Sequence, residues 1–328
     1  MSLKIGLTYD LRDDYLALGF SEEETAEFDR RDTIDAIENA IRAAGHSTDR
    51  IGQIKSLAAR LVKGDRWDLV FNIAEGMYGL SRETQVPALL DAYNIPCTFS
   101  DAVALGFTLH KGFTKNIVRD CGVPTPDFAV LSSPEEAAKI NLPFPLFAKP
   151  VAEGTGKGIN SRSKARNKEE LIALTDELLK KYKQPVIVET FLPGREFTVG
   201  IVGSGSSAES VGIMEVILND KAEAEVYSYV NKERCEDLVE YRKVDDTMAK
   251  EAVQVALDSW KALGLRDAGR VDLRADAAGR VNFLEVNPLA GLHPEHSDLP
   301  IICTMYGISY NTLIKRIIDE ASKRITNK

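Results

Sequence analysis

Cysteine is scarce and badly placed for chemistry. The four residues, Cys97, Cys121, Cys235 and Cys303, are widely spaced and form no C-x-x-C pair. That spacing argues against a zinc site and reads as scattered thiols in a reducing compartment. Long apolar runs are missing too: no stretch is long enough to span a bilayer. Met1 to Asp10 passes straight into a strand-like segment without the apolar core of a signal peptide, so the expectation is a cytoplasmic protein with no membrane partner. Positive charge is in deficit, with 41 basic against 50 acidic residues and a formal net charge of −9. Nucleic acid would find no long-range attraction to such a chain, although a local basic pocket for phosphates stays open. Internal repeats and long low-complexity segments are absent. Gly6-Leu7-Thr8-Tyr9 stands where a dinucleotide-binding G-x-G-x-x-G would follow the first strand, which counts against a nicotinamide-dependent enzyme.

What is present is ordinary soluble-protein composition, 44% hydrophobic and 28% charged, over 328 residues, enough for two or three domains. Strand and helix signals alternate through the first hundred residues. Leu3 to Tyr9 and Trp67 to Ile73 read as buried strands; Ile34, Ile37 and Ile41 share a helical face that Gly45 ends. Such alternation implies a parallel sheet covered by helices. Further on, a helix beginning near Lys111 is broken by Val123-Pro124-Thr125-Pro126. Leu146 to Pro150 and Val186 to Glu189 read as strands, and Asn167 to Lys181 as a helix. Glu196 to Val202 reads as a strand. Ala222 to Lys243 is polar and reads as a long surface loop, the kind that serves as a lid. Asp245 to Leu263 reads as a helix capped by Asp245, and a last helix runs near Tyr310 to Ser322.

Three stretches carry candidate chemistry. In the first, two strands, Gly269 to Ala275 and Val281 to Val286, flank the turn Asp276-Ala277-Ala278-Gly279. Period-two alternation puts Glu285 and Asn287 on one face. A turn centred on Ala277-Ala278 sets Asp272 across from Phe283 and Arg270 across from Glu285, so three oxygen donors and one guanidinium share a patch. All-oxygen donors select Mg²⁺ or Mn²⁺ over zinc; a solvated strand face is the bland alternative. Second, Glu153-Gly154-Thr155-Gly156-Lys157-Gly158 follows Lys149-Pro150. Its glycines let backbone N–H groups approach an anion, but the Walker A spacing is missing, and a mobile turn explains the same residues. Third, Phe191-Leu192 between Glu189 and Glu196 suits an adenosine, and equally an ordinary turn.

Taken together, Lys149-Pro150, the glycine loop, Glu189 and Glu196, and Arg270-Val271-Asp272 followed by Glu285-Val286-Asn287 resemble the ATP-grasp superfamily. Their order and spacing look like the D-alanine–D-alanine ligase family over roughly residues 67 to 320. Thr108 to Lys115 also looks like that family's helix start, with His110 where an aspartate is usual. The resemblance implies an α/β, three-domain ATP-grasp fold. An N-terminal parallel α/β substrate domain would span 1–108, and α+β subdomains at 109–189 and 190–328 would clamp ATP. It implies an ATP-dependent carboxylate–amine ligase that forms a peptide bond through an acyl-phosphate. Lys111, Lys149, Glu153, Gly154, Thr155, Gly156, Lys157 and Gly158 would hold the phosphates. Glu189, Thr190, Phe191 and Leu192 would hold adenine, and Glu196 the ribose. Asp272, Glu285 and Asn287 would bind two Mg²⁺ ions, with Mn²⁺ as a substitute. Arg270, Gly291 and Lys232 would be catalytic. Small amino-acid substrates and a homodimer follow from the same likeness.

The substrate loops depart from the family. Thr8 to Asp14 replaces its Gly-Gly-x-Ser-x-Glu-like segment, and Asn72 to Glu83 its His-Gly-x-x-Gly-Glu-Asp-Gly loop. Asp10, Glu75 and Arg82 are candidates for an amino acid's charges, and surface loops are the equal alternative. Ser297 matches the family serine for the second substrate's carboxylate if one residue is inserted. These departures leave two further readings: a ligase for other amino-acid or natural-product substrates, and a non-catalytic ATP-binding regulatory module.

Overall fold

The computed structural model describes residues 2–219 and 235–325. Lys232 and most of the expected lid therefore lie outside the described residues. The strands of the described residues form three sheets. In the N-terminal one, β1 (Lys4–Tyr9) lies between β2 (Ser47–Gly52) and β3 (Leu69–Ile73), parallel to both. The helix α1 (Arg31–Ala43) connects β1 to β2 and buries Ile34, Ile37 and Ile41. Its partners α2 (Ile54–Val62) and α3 (Gln85–Ala92) follow β2 and β3.

Two short helices, α4 (Ala102–Leu109) and α5 (Lys111–Asp120), carry the chain away from this sheet. His110 stands between them as the N-cap of α5, its Nδ1 accepting the Phe113 N–H at 3.2 Å. It thereby does the capping work an aspartate would do, satisfying an otherwise orphan donor.

The central sheet is antiparallel, in the order β4 (Phe128–Leu131), β7 (Val186–Thr190), β5 (Leu146–Pro150), β6 (Lys164–Ala165). Helix α6 (Lys168–Tyr182) covers it through Leu171, Leu174 and Leu178, and is capped by Asn167. The C-terminal sheet is antiparallel too. It contains β8 (Glu196–Val202), β9 (Glu209–Leu218), β10 (Val239–Lys243), β11 (Ala268–Ala275) and β12 (Val281–Asn287), in the order β10-β9-β8-β11-β12. Helix α7 (Thr247–Ala262) packs Trp260 into one face of this sheet, while α8 (Asp298–Met305) packs against β8 and β9 and α9 (Tyr310–Ser322) against α1, in a core shared with the N-terminal sheet.

Three local expectations need correcting. The described end of the expected loop is not irregular: Cys235–Leu238 is a helical turn, and β10 pairs with β9 as an edge strand. The cap of α7 is Asp246, not Asp245; its carboxylate accepts the Ala249 N–H at 3.0 Å. The β11–β12 register also differs. A bulge between Asp272 and Leu273 sets Asp272 opposite Glu285 and Arg270 opposite Asn287, while Leu273 faces Phe283. Leu284 is the extra residue a bulge accommodates. All four polar residues still share one face, because direct cross-strand partners point the same way.

Candidate active site

The ends of β5 and β7 face β11 and β12 across a cleft of about 840 Å³. Its lining includes Lys111, Lys149, Lys157, Phe191, Leu192, Glu196, Asp272 and Glu285. A second cavity of about 720 Å³ adjoins it, lined by Glu27, Glu75, Glu83, Arg270, Asn287 and Gly291 among others. Lys111, Glu153 and Glu285 line both cavities and form their common wall.

Charges alternate along that wall. The Lys149 ammonium is buried and lies 3.3 Å from Glu189 and 3.2 Å from Glu285. Lys111 is 3.6 Å from Glu285 and donates to the Glu153 backbone carbonyl at 2.5 Å. Burial pulls the Lys149 ammonium toward neutrality, but Glu189 and Glu285 outweigh it and raise its pKa. Burial dominates at Lys111, whose pKa falls. Glu189 is also buried, yet Lys115 and Lys149 hold it below the usual carboxylate range. Its carboxylate is committed to two lysines, so the cleft-lining Phe191 and Leu192 form the apolar surface at this strand end. The Lys164 ammonium stands 4.1 Å from the Phe191 ring centre. Glu196 pairs with Arg274 at 3.2 Å.

The glycine loop forms the roof. Thr155, Gly156 and Gly158 all have positive φ, and a Cβ on Gly158 would meet Pro150 at 2.6 Å. Only glycine combines that backbone with that approach. Lys157 pairs with Glu153 at 2.5 Å. The loop is also tied to the N-terminal unit: Glu27 accepts the Gly154 N–H at 2.6 Å and pairs with Arg82 at 2.8 Å and Lys157 at 3.3 Å. Despite burial, Arg82 and Lys157 hold Glu27 down at about 2.

On the opposite wall, Asp272 gathers donors. Thr198 Oγ1 reaches it at 3.0 Å, Asn287 Nδ2 at 3.2 Å and Arg270 at 2.9 Å. Arg270 also pairs with Asp298 at 2.7 Å. The candidate metal donors Asp272, Glu285 and Asn287 therefore converge on one strand pair. Among the described residues no three His, Cys, Asp or Glu side chains form a closed metal cage. Two carboxylates and an amide oxygen suit Mg²⁺, which takes few protein ligands and fills its shell with phosphate oxygens and water.

The expected substrate residues fare differently. Glu75 lines the second cavity with Glu83, where burial and their mutual repulsion raise the pKa of Glu75 well above the usual range. Arg82, by contrast, is spent on Glu27 and on the Ala152 carbonyl at 2.9 Å. Asp10 accepts from Tyr15 at 2.5 Å and from the Gly76 N–H at 2.9 Å, and lines neither cavity. Ser297 accepts the His293 N–H at 2.9 Å beside Gly291, where a Cβ would come within 2.8 Å of its Oγ. Glu27, Glu83, Lys115 and Asp298 had not been singled out. Lys115 has a signal, one helical turn beyond Lys111, and Glu83 and Asp298 directly follow the candidates Arg82 and Ser297; Glu27 is brought in from a distant part of the chain.

A nucleotide-sized cleft between two antiparallel sheets, roofed by a glycine loop and floored by carboxylates, is the arrangement of an ATP-grasp enzyme. Residues 117–319 match the family model of the D-alanine–D-alanine ligase C-terminus. A D-alanine–D-alanine ligase of Aquifex aeolicus is 33% identical over 86% of this chain and 92% of its own length. An uncharacterised protein of Sinorhizobium fredii is 30% identical over 88% and 87%. The crystal structure of a Bacillus anthracis D-alanine–D-alanine ligase complexed with ATP superposes with a TM-score of 0.72 at 21% identity, covering 98% of each chain. A D-Ala:D-Ser ligase of Enterococcus faecalis superposes at 0.74 and 21%, covering 98% of this chain and 100% of its own. The chain belongs to the D-alanine–D-alanine ligase family, and it is an ATP-dependent ligase with that family's fold.

Proposed function

We propose that the protein joins the carboxyl group of one amino acid to the amine of another through an acyl-phosphate. The observation that carries this is the common wall, Lys111, Glu153 and Glu285, which gives both cavities access to the same charged groups. A nucleotide in the larger cleft would present its terminal phosphoryl at that wall to a carboxylate in the smaller one.

Adenine would rest against Phe191 and Leu192 near Thr190, with Glu189 acting behind it, and the ribose would lie near Glu196. Lys111, Lys149 and Lys157 would hold the phosphates under the loop Glu153 to Gly158. Asp272, Glu285 and Asn287 are the donors for two Mg²⁺ ions, with Mn²⁺ able to substitute. The metal supplies neutralisation of phosphoryl charge, which together with positioning is most of the catalysis in such transfers. The substrate carboxylate attacks the terminal phosphorus and ADP leaves. The amine then attacks the acyl carbon: the C–N bond forms, the C–O bond to phosphate breaks, phosphate departs, and the amine's surplus proton passes to solvent. Arg270 and the Gly291 N–H would stabilise the oxyanion, and Lys232 would contact the phosphates. Ser297 would meet the second substrate's carboxylate, and Glu75 the first substrate's ammonium. Asp10 and Arg82 act in this reading only as supports. The substrates are small amino acids; the protein works as a cytoplasmic homodimer without nucleic-acid or membrane partners.

A second reading has a specific observation behind it. Glu75 and Glu83 line the smaller cavity where the family's histidine loop is missing, which favours a substrate pair other than two D-alanines. Hydroxylamine trapping tests the acyl-phosphate. Mg-ATP plus one amino acid and hydroxylamine should yield ADP and an amino-acid hydroxamate in equal amounts. ATP binding with no hydroxamate from any amino acid would contradict the reading and leave a nucleotide-binding module.

A further inference from the structure

One buried lysine near the nucleotide cleft has no part in the reaction as described. Lys115 lies on α5, four residues after Lys111 and therefore on the same helical face. Its side chain is wholly buried. An ammonium has three N–H donors; this one donates to two acceptors and forms an ion pair with a third group, each on a different segment. Glu189, near the end of β7, is 2.9 Å away. Thr125 Oγ1, in the proline-flanked link to the central sheet, is at 2.9 Å, and the Phe283 carbonyl of β12 at 3.3 Å. Thr125 in turn donates to the same Phe283 carbonyl at 2.9 Å. Phe283 lies two residues before Glu285 on that strand.

The consequence runs through Glu189. Its Oε2 faces Lys115 and its Oε1 faces Lys149, which also reaches Glu285. A buried carboxylate deprived of one cation turns fully to the other, because an uncompensated charge in the interior is strongly unfavourable. Lys115 thus keeps Glu189 from capturing Lys149 outright, and fixes β12 against β7. We propose that Lys115 is a positioning residue of the nucleotide site: by holding one oxygen of Glu189 it keeps that carboxylate from taking up Lys149 fully, so that Lys149 can turn to the nucleotide phosphates. This rests on the nucleotide assignment made above, but its test does not require turnover.

The experiment is calorimetric titration of wild type, Lys115→Met, Lys149→Met and the double variant with Mg-ATP and with adenosine. Lys115→Met should weaken Mg-ATP binding about ten- to a hundredfold, the range for charge-assisted hydrogen bonds, and change adenosine binding less than twofold. The double variant should bind Mg-ATP no worse than Lys149→Met alone, since one effect acts through the other. Equal losses for ATP and adenosine would mean a merely structural role, and multiplicative losses in the double variant would mean Lys115 acts independently; either overturns the proposal. Lys115→Met/Glu189→Gln, which removes both buried charges, serves if the single variant does not fold: with no carboxylate left to capture Lys149, it should bind Mg-ATP within about twofold of Glu189→Gln alone, and a further loss of about tenfold or more would overturn the proposal. No binding of either ligand to wild type would instead sink the nucleotide assignment itself.

Discussion

In the larger cleft Lys111, Lys149 and Lys157 each face a carboxylate, whereas in the adjoining cavity Glu75 and Glu83 repel one another. Burial drives Glu83 up to about 7 against the pull of Arg82, with Glu27 adding to the rise. The first region is charge-balanced and rigidly cross-linked. In the second, Glu75 and Glu83 have no ion pair among the described residues, and their setting favours the protonated forms. A surface that must receive a polyanion and a metal keeps its charges matched until those arrive. A pocket with two unmatched carboxyl groups, Glu75 and Glu83, suits ligands that bring positive charge of their own.

Removing the floor of the larger cleft should have the greatest effect. Asp272→Ala with Glu285→Ala is expected to lower ADP release by roughly 10³-fold or more, given that single donors in such sites contribute 10²–10³. Wild-type turnover in that variant would remove the metal assignment. Arg82 sharpens the boundary between the regions. Arg82→Met breaks a buried pair from one side and should destabilise the fold by about 3 kcal/mol in urea unfolding, with the KM for amino acids little changed. A raised KM at unchanged stability would return Arg82 to the substrate.

Glu83 probes the second region through pH. Its folded pKa of about 7 exceeds the ordinary value of 4.5, so between them the folded chain holds a proton the unfolded chain has released. Its contribution to stability is complete below the ordinary value and is lost as pH rises through about 7. Glu83→Gln should accordingly raise Tm at pH 8 by roughly 2–4 °C, the response to ~1 kcal/mol in a large domain, and leave it unchanged at pH 4. An equal shift at both values would show that Glu83 is not the titrating group. The smallest effect belongs to the cap: His110→Ala should cost about 1 kcal/mol and His110→Asp much less. Equal losses would mean that the Nδ1 bond to Phe113 contributes nothing.

The nucleotide side was largely readable from sequence because its residues sit at strand ends and in a glycine loop, where local pattern determines direction. Asp272, Glu285 and Asn287 came out on one face, as expected, even though the bulge at Leu284 moved the register. A bulge reverses the alternation across itself, but Arg270, Asp272, Glu285 and Asn287 all lie on one side of it, so their shared face survived where the pairing did not. The N-terminal side was far less readable. Glu27 meets Gly154 from 127 residues away, and nothing local in its turn-rich segment announces that contact. Arg82 looked like a substrate anchor because its sequence neighbours are loop-like; only the fold reveals Glu27 and Ala152 opposite it. Asp298 is equally hidden, since its partner Arg270 lies on another element.

The most direct test of the central claim is ADP release by the purified protein with Mg-ATP across D- and L-amino acids, singly and in pairs, with mass detection of products. The account predicts ADP matched one-to-one by a dipeptide for at least one amino acid or pair, including candidates that carry a cationic side chain. Tight ATP binding without ADP or dipeptide from any combination would contradict it.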